Sequence, residues 1–135
     1  MLAPKKTKFR KSHKLRRGGK ASRKTVLSFG DYGLKCLAAH WLSARQIEAA
    51  RRVMSRYLER SGQLWIRIFP DQPVTAKGGE MPMGKGKGAV DHYVAKVKAG
   101  TILFELGGVP AQKATQAMKL ASYKLPVKCS IVTKT

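Results

Sequence analysis

Ile47, Ala50, Met54, Tyr57 and Leu58 recur at three- and four-residue intervals, the spacing that gathers side chains on one face of an α-helix. The opposite face holds Arg45, Arg51, Arg52, Arg56 and Arg60, only partly offset by Glu48 and Glu59. Ser43 and Gln46 stand at capping-box spacing, so the helix is predicted to start at Ala44 and to run to about Arg60, with Gly62 placed to end it. Elsewhere the period falls to two, the signature of strands. Leu34, Cys36 and Ala38 give a weak alternation. Residues 64–69 set Trp65, Arg67 and Phe69 against Leu64, Ile66 and Ile68, and Pro70-Asp71 closes that strand. Residues 90–97 and 101–106 read as two strands joined by a turn at Ala99-Gly100, an antiparallel pair. Pro110 suits the first turn of a second helix to about Tyr123, with Ala114, Ala117, Met118 and Ala121 inward. Val127, Cys129 and Ile131 then alternate in a final strand.

Between 72 and 88 the composition changes. Pro73, Gly78, Gly79, Pro82, Gly84, Gly86 and Gly88 preclude regular structure and predict a long loop. The order of elements gives an α+β fold, two helices packed on a mostly antiparallel or mixed sheet.

Charge adds a second part to this picture. Residues 1–24 contain eleven Lys or Arg and no acid, on a chain of net charge +21. With little apolar surface beyond Phe9 and Leu15, that segment is expected to be an extended basic arm that orders only on a polyanion. Residues 25–135 are left as one domain, since about 110 residues suffice for a single core and not for two. Twenty-eight cations against seven acids exceed what solubility requires, and a partner that cancels them is expected. No apolar run reaches the length of a bilayer span, which argues against membrane insertion. The N-terminus lacks a secretory pattern, and Cys36 and Cys129 are isolated thiols suited to a reducing compartment, cytoplasmic or organelle-interior.

The string Met83-Gly84-Lys85-Gly86-Lys87-Gly88 combines close backbone approach with mobile point charges, a composition suited to phosphates. Gly79 to Lys85 also fits the nucleotide-binding G-x-x-x-x-G-K pattern. That match fails at Gly86, which stands where Mg²⁺ needs a hydroxyl, and a strand rather than a helix follows. Trp41, Trp65 and Phe69 could stack on bases, but core packing is the expectation, and Phe29 and Tyr32 likewise read as packing residues of a glycine-flanked turn. The three histidines show no metal-ligand spacing, and the acids read as local charge partners, so neither a metal, a cofactor nor catalysis is expected.

Several strings together resemble a known family. Residues 4–11 (Pro-Lys-Lys-Thr-Lys-Phe-Arg-Lys), 28–35 (Ser-Phe-Gly-Asp-Tyr-Gly-Leu-Lys), 44–52 (Ala-Arg-Gln-Ile-Glu-Ala-Ala-Arg-Arg), 65–71 (Trp-Ile-Arg-Ile-Phe-Pro-Asp), 83–88 and Lys124-Leu125-Pro126 are collinear with the bacterial-type large-subunit ribosomal protein L sixteen family. The resemblance implies a structural constituent of the large subunit, bound to 23S-type rRNA near the central protuberance beside other ribosomal proteins, without self-association. It implies that the loop around Gly84 to Gly88 points toward the peptidyl-transfer region and the A-site and P-site tRNAs. Pro82 departs from it, standing where the family commonly carries Arg. The residues expected to bind rRNA are Lys5, Lys6, Lys8, Arg10, Lys11, Lys14, Arg16 and Arg17 of the arm and Arg45, Arg51 and Arg52 of the helix; a cytoplasmic bacterial or an organelle ribosome fits both. A nucleoid-type DNA-binding protein would use the same charge and is the alternative.

Overall fold

The computed structural model describes Ala3 and residues 26–75 and 90–134. The elements are β1 (Tyr32–Cys36), β2 (His40–Ser43), α1 (Ala44–Tyr57), β3 (Gln63–Ile66), β4 (Gln72–Thr75), β5 (Val90–Val97), β6 (Ile102–Gly107), α2 (Ala111–Ser122) and β7 (Cys129–Thr133). The α+β class is as expected, but the strands form two sheets, one in the order β3-β6-β1-β7 and one in the order β2-β5-β4. Every pairing is antiparallel.

The expected β5–β6 pair does not form. β6 is buried along its whole length and has β1 and β3 as neighbours, so no edge remains for β5, which lies between β2 and β4. The chain leaves one sheet for the other at Gly100, whose φ is +96° and whose N–H donates to the Cys36 carbonyl. At one point the β1–β6 register shifts, Leu34 facing Phe104 and Lys35 facing Ile102. This bulge allows the consecutive residues Leu103 and Phe104 both to enter the core.

Two strands were invisible to pattern. β2 is four residues long and runs directly into α1, too short for a period to show. β4 occupies the first part of the predicted loop, and its Pro73 is tolerated because β4 is an edge strand, where a missing amide costs no ladder bond on the outer side. Thr75 is paired with Val90, so residues 76–89 connect two adjacent strands.

The helices follow their sequence signals closely. The Ser43 hydroxyl accepts from the Gln46 amide while the Gln46 side chain accepts from the Ser43 amide, the reciprocal cap that fixes the start of α1. The helix ends earlier than expected, at Tyr57, because Glu59 and Arg60 turn into the left-handed region at φ 52° and 64°. Tyr57, expected inward, is exposed. Pro110 is the N-cap of α2, and Ala114, Ala117, Met118 and Ala121 are fully buried. The two helices touch each other, α2 lying on β1 and β7 and α1 against β2 and β5. Ile47, Met54, Leu34, Phe104, Leu106 and Met118 meet in the core between helices and strands, each large side chain contributing about 1.5–3 kcal/mol by its burial.

Candidate nucleic-acid interface

The core face of α1 determines what the opposite face can present. With about 100° per residue, Arg45, Arg52 and Arg56 fall within roughly 40° of one another and point directly away from Met54. All three are exposed, as is Arg60 beyond the helix end, while Arg51 is half-buried. Arg51, Arg52, Ser55, Arg56, Glu59 and Arg60 line a surface hollow of about 610 Å³. A second hollow of about 260 Å³ adjoins it over Ser61, Gly62, Leu64 and Ile66, extending the arginine surface toward β3.

Glu48 sets the shape of this surface. It pairs with Arg51 through two hydrogen bonds, one of them 3.1 Å from Nε, and with Arg52 Nε at 3.3 Å. The Arg51 bond, with burial opposing and Arg52 assisting, holds the Glu48 carboxyl down at about 2, so it is ionised at any physiological pH. The same contact raises Arg51. Arg51 is thus held in place along the helix, whereas Arg56 and Arg60 form no ion pair with an acid among the described residues. Guanidinium forks arrayed round a hollow suit the paired oxygens of backbone phosphates.

On the outer side of the four-stranded sheet, a site that the sequence did not reveal holds residues 26–30. Glu105, at the middle of β6, is fully buried. Its carboxylate accepts from the Ser28 amide at 3.1 Å, from Phe29 at 2.8 Å and from Gly30 at 2.8 Å, and it is paired with Arg67. Burial pushes the carboxyl up, but the Gly30, Arg67, Phe29 and Ser28 bonds together prevail and leave it below its ordinary value. Gly30 lies so close to β6 that a Cβ there would meet the Leu106 carbonyl oxygen at 2.5 Å. Glu105 had read as a local charge partner; the available signal was one acid inside the otherwise apolar run 102–106.

The aromatics divide. Trp65 is half-buried beneath Phe29, but Phe29 and Phe69, expected to pack, are 60% and 45% exposed. Trp41 is half-buried opposite Lys96, whose ammonium lies 5.9 Å from the indole centroid and whose pKa is lowered by burial, with Asp71 pulling the other way. Among the described residues no three His, Cys, Asp or Glu are grouped to hold a metal ion, and no helix is long and apolar enough to cross a membrane.

Of the expected rRNA-binding residues, Arg45 and Arg52 share the exposed side of α1, and the structure adds Arg56 and Arg60 to them; Arg51, expected on that side, is half-buried at its flank, about 60° round the helix from Met54. Lys5, Lys6, Lys8, Arg10, Lys11, Lys14, Arg16 and Arg17, and the string Met83, Gly84, Lys85, Gly86, Lys87 and Gly88, lie outside the described residues.

Known proteins resemble this chain over nearly its whole length. The profile of the family described as ribosomal protein L16p/L10e matches residues 4–132. The large ribosomal subunit protein uL16c of Gracilaria tenuistipitata is 56% identical over 134 residues, covering 99% of both chains. The uL16c of Trieres chinensis is 57% identical over 134 residues, covering 99% of this chain and 98% of that one. That of Cyanidium caldarium is 53% identical over 133 residues, covering 98% and 95%.

Proposed function

This chain belongs to the ribosomal protein L16p/L10e family, and on that premise we propose that the arginine face of α1, the cations at positions 5–17 and the Gly-Lys string at 83–88 are its contacts with the ribosome's RNAs. The protein is a structural, non-enzymatic constituent of the large ribosomal subunit of a bacterium or organelle, associated there with rRNA and with other ribosomal proteins. Neither the family nor these relatives supports a nucleoid-type DNA binder.

The observation that carries the rRNA reading is the stripe Arg45, Arg52, Arg56, continued by Arg60 around the hollow at the end of α1. Its charge is not spent on the fold: the buried face of α1 is apolar, and the acids present neutralise only part of the exposed one. Phosphate contacts of this kind position a protein without reading sequence, and the folded core sets their register. Residues 1–24 act as a basic arm on a domain formed by residues 25–135, near the central protuberance, and the protein works there as a single copy. Lys85 and Lys87 lie on the connection between β4 and β5 and help to position A-site and P-site tRNA.

Sedimentation of cell extract at moderate salt, followed by filter binding of the purified protein to large-subunit rRNA at increasing salt, tests the assignment. Co-migration with large subunits and an affinity that falls steeply with salt are expected. A protein that remains at the top of the gradient overturns it. For the loop, replacing Lys85 and Lys87 by Ala should reduce tRNA binding to assembled ribosomes while the variant folds normally; an equal loss of thermal stability makes the loop a structural element instead.

A further inference from the structure

Phe29 presents a large apolar ring to solvent from a stretch of backbone anchored to the sheet. Its own amide and those of Ser28 and Gly30 are bound by the buried Glu105, and the approach of Gly30 to Leu106 leaves no space to shift. The ring is stacked on Trp65, with centroids 5.9 Å apart and planes 21° from parallel. The Arg67 guanidinium lies 5.3 Å from its centroid. Trp65, in β3, and Arg67, just beyond its end, both lie against the ring, and Phe29 nonetheless remains 60% exposed. Here a carboxylate clamp, an indole and a guanidinium hold it out.

We propose that Phe29 is a stacking platform for one unpaired base of the large-subunit rRNA, preorganised by Trp65 and flanked by Arg67. Stacking on aromatic rings and guanidinium planes is how proteins hold splayed-out bases, and a platform already fixed in place loses little entropy on binding. Charge indicates RNA as the occupant. Val26, which accepts from Arg67 Nη1 at 3.4 Å, directly follows the segment with eleven cations and no acid, so phosphate backbone is drawn to this side of the protein. The inference rests on the rRNA-binding reading given above.

Full-length protein and its Phe29→Leu and Phe29→Trp variants, bound to in vitro transcribed large-subunit rRNA by filter assay across a salt series, provide the test. Phe29→Leu keeps an apolar side chain but no π-face, and is expected to weaken binding about 5- to 150-fold with an unchanged salt slope. Phe29→Trp should stay within about twofold of wild type. Chemical probing of the wild-type complex should show one unpaired nucleotide protected, a readout that needs no variant to fold. Wild-type affinity for Phe29→Leu, or the absence of a protected unpaired nucleotide, overturns the platform alone. Retained rRNA affinity with loss of Phe29→Leu from assembled subunits assigns the ring to a neighbouring protein and overturns it as well. A wild-type protein without salt-sensitive rRNA binding overturns the rRNA reading and, with it, this one.

Discussion

The Gly30 amide donates to the Glu105 carboxylate at 2.8 Å across a sequence separation of 75, joining the segment that leads out of the basic N-terminal residues to the centre of the most buried strand. Three amides and one guanidinium converge on this acid, so removing its charge affects more than one bond. Glu105→Gln is expected to cost about 3 kcal/mol in urea unfolding, because Arg67 loses its counter-charge in a largely buried site. Arg67→Met should cost less, about 1.5–2 kcal/mol, since the carboxylate keeps its three amide donors. The reverse ranking would show that the guanidinium, and not the acid, organises the segment.

Acid should weaken the fold through two carboxylates. Glu48 is held at about 2 by Arg51, and Glu105 lies below the usual range despite its burial. A carboxyl whose folded pKa is depressed gives stability that is complete above the unfolded value, about 4.3, and is lost as pH falls toward the folded value. Urea midpoints measured from pH 6 to pH 2 should therefore be level down to about pH 5 and fall below it. Glu48→Gln and Glu105→Gln should each flatten part of that fall, and unchanged profiles in both would place the acid sensitivity elsewhere.

The exposed arginines of α1 should separate binding from folding. Arg52→Ala combined with Arg56→Ala is expected to leave stability within about 0.5 kcal/mol, as for surface positions generally. If both side chains neutralise phosphates, the slope of log affinity against log salt should lessen by about 1.4–1.8. A slope equal to wild type would remove these residues from the interface.

The two thiols should be unreactive while the protein is folded. Cys36 and Cys129 face each other across β1 and β7. Burial raises Cys36, and burial together with the nearby Cys36 pushes Cys129 up to about 12, so both carry less thiolate than a free cysteine. Labelling by a thiol-disulfide reagent should be at least about 100-fold slower in the native protein than in denaturant. Rapid native labelling would mean that β7 opens readily.

What sequence alone disclosed, and what it did not, follows from the range of the forces involved. α1 and α2 were readable because a cap, a period and a terminator lie within a few residues of one another: Ser43 with Gln46, Ile47 to Met54, Ala114 to Ala121. The arginine stripe followed from the same geometry. Strand partnership did not, because it depends on residues far apart: nothing near Ala99-Gly100 states that β6 will lie between β1 and β3 and leave β5 to another sheet. β2 and β4 are short, and Pro73 counted against a strand that its edge position permits. Glu105 was the largest omission. A carboxylate is classed by its neighbours in sequence, whereas its partners Ser28, Phe29, Gly30 and Arg67 come from two distant segments.

The length of that carboxylate clasp has a consequence for biogenesis. Translation delivers residues 28–30 long before position 105, and the acid has no place to sit until β6 lies between β1 and β3. For most of its synthesis the nascent chain therefore carries residues 28–30 without the carboxylate that holds them in the finished protein. Anchoring comes late, in the same event that completes the sheet, so a partly made molecule exposes backbone amides that the finished one holds.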